Sequence, residues 1–83
     1  MIELTADRLA PGAAGRITKL YMEGPLRRRL LELGLIPGAV LIRRYTAPAG
    51  SPIAYEASGA LLALRKADAA RIAVEEAGEP WTA

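Results

Sequence analysis

The chain has 83 residues, enough for one domain, and a domain this short buries a smaller share of its surface than a longer one, so its stability margin is thin. It contains no cysteine and no histidine, which removes disulfides, thiolate nucleophiles, thiolate zinc or iron-sulfur ligation, and the imidazole that most often serves as general base or metal ligand. Eleven basic against nine acidic residues leave a net charge of +2, too balanced to hold a phosphate backbone by field alone.

The N-terminus, Met1-Ile2-Glu3-Leu4, lacks the basic and apolar regions of a signal peptide, and no apolar run approaches the roughly 20 residues needed to cross a bilayer. A cytoplasmic address is therefore expected. Thr5 can cap a short helical turn ending at Arg8, and Pro11-Gly12 reverses the chain. A first strand is predicted over Gly15 to Met22, where Arg16 and Thr18 alternate with Ile17 and Lys19 and Leu20 breaks the pattern.

Pro25 to Leu33 is the convincing helix. Pro25 suits the first helical position, where an N–H would have no partner, and Gly34 suits the left-handed residue after the end. Leu26, Leu30 and Leu33 fall on one stripe and are expected in the core; Arg27, Arg28 and Glu32 lie off it, with Arg28 placed to pair with Glu32. Arg29 borders the stripe.

Leu35-Ile36-Pro37-Gly38 reads as a tight turn with Gly supplying positive φ. A strand over Ala39 to Tyr45 then sets Val40, Ile42 and Arg44 against Leu41, Arg43 and Tyr45, with Leu41 a candidate for the outer wall. After the loop Pro48 to Pro52 comes a hairpin: Ile53 to Ala57, the Ser58-Gly59 turn, and Ala60 to Arg65 with Leu62 and Leu64 inward and Leu61 partly exposed. One helical turn over Lys66 to Arg71 and a last strand over Ile72 to Glu75 complete a domain of residues 1–75; residues 76–83 read as a tail, with Trp81 a tail residue. The result is an all-β unit with short helices, one of them between the first and second strands.

The run Leu26-Arg27-Arg28-Arg29-Leu30-Leu31-Glu32-Leu33-Gly34-Leu35-Ile36-Pro37-Gly38 resembles the hallmark of FeoA domains. So do Leu9-Ala10-Pro11-Gly12 with Gly15-Arg16-Ile17, the loop Gly50-Ser51-Pro52-Ile53, and Leu62-Ala63-Leu64-Arg65 with Ala69, Ile72 and Val74. The match spans Leu4 to Val74. It implies a small SH3-like five-stranded β-barrel, in the cytoplasm, accompanying the FeoB ferrous iron transporter and its cytosolic GTP-binding part. Two positions depart from the pattern: Ser51 stands where the family often has aspartate, and Tyr55 where a β-branched residue is usual. A buried Tyr55 would need a partner for its hydroxyl.

On this reading the chain is a non-catalytic adaptor without cofactor, metal or nucleic acid, reaching the membrane only through the transporter. The scattered carboxylates, of which only Glu75 and Glu76 are neighbours, point to opposite faces on a strand and do not make a cation site. The contact surface is expected on Arg27, Arg28, Leu35 and Ile36, and an outer apolar strip around Leu61 and Ala63 leaves self-association open. Two rival readings are a free-standing regulatory relative of the C-terminal SH3-like domain of iron-dependent repressors and a small RNA-binding barrel. The first has no room for a helix-turn-helix ahead of Leu4, and the second has only Tyr45 beside Arg43 and Arg44 for stacking.

Overall fold

The computed structural model describes residues 3–77, so Trp81 lies outside the described residues. A 3-10 turn at Ala6–Arg8 is followed by β1 (Ala14–Leu20), α1 (Pro25–Glu32), β2 (Val40–Thr46), β3 (Ile53–Ala57), β4 (Ala60–Leu64), α2 (Lys66–Ala69) and β5 (Ile72–Glu76). The predicted elements are all there, with bounds shifted by a residue or two, and β5 takes in Glu76. The opening turn keeps its Arg8 N–H to Thr5 carbonyl bond, but the Thr5 hydroxyl donates to the Asp7 carboxylate instead of capping.

The strands form one antiparallel sheet in the order β4-β3-β2-β1-β5. The closed barrel expected from the resemblance is not made: no ladder joins β4 to β5 among the described residues. The free edge of β5 is occupied by the N-terminal segment, where Thr5 bridges to Ala73 and the Val74 N–H donates to the Leu4 carbonyl. The flank of β4 faces α1 across a groove.

Register decides which side chains enter the core. Val40 lies opposite Arg16 and Ile42 opposite Ala14, so Val40 and Ile42 share the outward face with Arg16 and Arg44. Leu41 is therefore fully buried, contrary to its expected place on the outer wall, and Val40 stays exposed. A register shift between Arg43 and Tyr45 then leaves Tyr45 68% exposed. On the hairpin Ile53, Tyr55, Ala57 and Leu64 are buried, Leu62 packs against the core, and Leu61 is exposed, as the alternation predicts.

The helix departs from its expected stripe. Leu30 is buried and Leu26 half-buried, but Leu33 is 45% exposed. The cause is the way α1 stops. The Leu35 N–H donates to the Leu30 carbonyl at 2.9 Å and the Gly34 N–H to the Leu31 carbonyl at 3.1 Å, the double bond pattern of a helix closed by a left-handed residue. Gly34 takes φ 92° there. The reversal turns Leu35 back onto Leu30, so Leu35 fills the core position that a longer helix would have given to Leu33.

Two side chains tie the opening turn to the sheet. The buried Tyr55 hydroxyl donates to the Ala6 carbonyl at 2.8 Å, supplying the partner its position requires. Arg43 donates to the carbonyls of Asp7 at 3.0 Å and Leu9 at 2.8 Å, and to the Thr46 hydroxyl at 2.9 Å. Ser51, the other departure from the family pattern, accepts the Lys66 N–H at 3.1 Å and so joins the β2–β3 loop to α2.

Candidate functional site

The surface around α1 begins where Gly24 and Pro25 open the helix, the Arg28 N–H donating to the Gly24 carbonyl at 3.1 Å. Arg27 is half-buried and Arg28 exposed. They line a shallow hollow of about 260 Å³ with Glu23 and Leu31. Among the described residues Arg28 and Glu32 form no ion pair; the pairs present are Arg16 with Glu75, Arg44 with Glu56 and Arg65 with Asp68.

Beyond the helix, Ile36 is 47% exposed on a turn closed by the Ala39 N–H to Ile36 carbonyl bond at 2.9 Å, with Pro37 and Gly38 at its centre. The turn is docked on β1, because Gly38 donates to the Ile17 carbonyl at 2.7 Å and Ile17 donates to the Ala39 carbonyl at 2.8 Å. Leu35, expected at the contact surface, is 0% exposed and belongs to the core. Its place was readable from the helix stop signal: the residue immediately after a left-handed cap commonly packs against the last turn. The candidate surface is thus Arg27, Arg28 and Ile36, held up from beneath by Leu30 and Leu35.

The fold also makes a groove that no local pattern announces. Leu26 and Arg29 of α1 and Leu33 just past its end face Leu61 and Ala63 of β4 across a space of about 590 Å³. Helix and strand are distant in the chain, so only the sheet order brings them together. Among the described residues no group of three acidic side chains converges on a point that could hold a metal ion, and no helix is long and apolar enough to cross a membrane.

These features define the class: a small antiparallel β domain with a flanking helix and basic and apolar side chains on its surface. The FeoA domain family model matches residues 4–76, and the chain belongs to that family, one tied to ferrous iron transport. The FeoA protein of Chlorobium tepidum is 35% identical, with a TM-score of 0.86 over 90% of this chain and 71% of that one. The zinc complex of Stenotrophomonas maltophilia FeoA, described as a prokaryotic SH3-domain protein and a candidate activating factor of ferrous iron transport, is 25% identical, with a TM-score of 0.71 over 87% of this chain and 89% of that one. The fold is SH3-like accordingly. ScaR with bound Cd2+ is 19% identical, with a TM-score of 0.77 over 89% of this chain and 36% of that one, a likeness of fold alone. No curated protein matches.

Proposed function

We propose that this chain is a non-catalytic accessory protein of ferrous iron uptake that docks, in the cytoplasm, on the cytosolic GTP-binding part of an FeoB-type transporter and modulates its assembly or activity. It acts by contact. The observation that carries the reading is the division of labour on the family's hallmark segment: Leu30 and Leu35 lie in the core, while Arg28 on α1 and Ile36 on the turn beyond it stand in solvent. Side chains anchored on a packed helix and a docked turn make a firm contact surface, and arginine is favoured at such interfaces for its stem as well as its charge.

The test is recovery of the transporter's cytosolic domain by wild type and by the double variant Arg27→Glu with Arg28→Glu. The variant is expected to lose recovery while melting like wild type. Equal recovery rejects this surface.

A further inference from the structure

The sheet has two edges, and they are finished differently. Along β5 the N-terminal segment supplies the Thr5–Ala73 bridge and the bond from the Val74 N–H to the Leu4 carbonyl, and Glu75 and Glu76 place charge at the strand's end. Covered and charged edges resist pairing with other chains. Among the described residues the edge at β4 has none of this protection: Ala60–Leu64 holds no charged residue and no proline, and its ladder to β3 runs without a register shift.

The phase of that ladder follows from the hairpin. Ser58 at φ 53° and Gly59 at φ 77° make a two-residue turn between the opposed Ala57 and Ala60, and such a turn makes its flanking pair a hydrogen-bonded one. By alternation Leu62 and Leu64 direct their main-chain groups at β3, and Leu61 and Ala63 direct theirs at the open edge. No other backbone group among the described residues takes these up.

What lies beyond the edge limits the occupant. Leu33 and Leu61 are 45% and 58% exposed, and with Arg29 and Arg65 they border the groove between α1 and β4. A helix along the far wall suits one extended segment. A second copy of this chain would bring its own arginine-bearing α1 against this one, like charge to like. Of the charged side chains in the groove, Arg29 and Arg65 outnumber Asp68, which pairs with Arg65 at 3.3 Å. The geometry points to an extended, acidic and leucine-containing peptide of a partner protein that adds to β4 as a sixth strand. Its main chain pairs with Leu61 and Ala63, its apolar side chains meet Leu33 and Leu26, and its carboxylates meet Arg29 and Arg65. This goes beyond the transporter reading and does not rest on it.

The experiment titrates the labelled full chain with an acetylated peptide of alternating leucine and glutamate, followed by NMR. The amides of Leu61 and Ala63 are expected to shift and to exchange more slowly with solvent, and N-methylation of one alternate set of peptide amides abolishes binding while the other set tolerates it. Ala63→Pro removes only an outward N–H, so the domain still folds and binding falls by about tenfold or more. Arg29→Glu, which leaves the strand untouched, weakens the acidic peptide and strengthens one with lysine in place of glutamate. Absence of binding, binding indifferent to N-methylation at both sets, or shifts confined to Arg27, Arg28 and Ile36 overturns the proposal. So does slow exchange at Leu61 that depends on protein concentration without peptide, which would make the occupant a second copy.

Discussion

The two flanks of the sheet use the same residue types in opposite ways. Beneath the opening turn, Arg43 spends its guanidinium on the carbonyls of Asp7 and Leu9, and Tyr55 spends its hydroxyl on the Ala6 carbonyl. Around α1, Arg28 and Arg29 stand in solvent and Leu33 and Leu61 are left uncovered. Polar groups satisfied inside a protein stabilise it and are unavailable to anything else, whereas unsatisfied or solvated ones are free to recognise a partner. The first flank is therefore expected to respond to mutation through stability and the second through binding.

The largest effect comes from striking the core that both flanks share. Leu30→Asp places an unpaired charge at a fully buried site, which costs several kcal/mol, on the order of the stability of so small a domain, and circular dichroism should show an unfolded chain. A normal melt would mean that α1 is not packed through Leu30. Arg43→Met strips the part-buried carbonyls of Asp7 and Leu9 of their charged donor and is expected to destabilise by about 1–3 kcal/mol in urea denaturation.

Tyr55→Phe keeps the ring and leaves the Ala6 carbonyl without its partner, lowering the melting temperature by roughly 5–15 °C. The same residue gives the comparison a pH signature. Burial pushes the Tyr55 phenol up to about 12 from an ordinary value of 10.0, because the fold favours the neutral form. Its stabilising contribution is whole below pH 10.0 and is lost as pH rises toward about 12. Alkaline denaturation in that window should be blunted in the Phe variant. At the small end, Arg27→Glu with Arg28→Glu should change stability by no more than about 0.5 kcal/mol. A larger loss would place these arginines with Arg43 on the structural side.

Legibility followed the range of the interactions. The helix, its glycine stop, the proline-glycine turn and the hairpin were written in local chemistry, and so were the inward faces of β3 and β4. The face of β2 was not, because Val40, Ile42 and Leu41 are equally apolar and only the pairing of Val40 with Arg16 assigns the outside. The hydroxyl partner of Tyr55 comes from Ala6, far back in the chain, so its need was foreseeable and its source was not. Of the candidate surface, Arg27 and Arg28 were in reach of a helical wheel, and Ile36 of the proline-glycine turn signal that follows the helix. Leu35 was misplaced by treating the segment after Gly34 as solvent-facing, although the helix stop itself carries the chain back to the core.

The turn that displays Ile36 is fastened by hydrogen bonds from Gly38 to Ile17, from Ile17 to Ala39 and from Ala39 to Ile36. A side chain mounted on so rigid a bracket has little backbone freedom left to surrender when a partner covers it. Any contact energy a partner gained at Ile36 would thus be kept as affinity instead of being absorbed by ordering the loop that presents it.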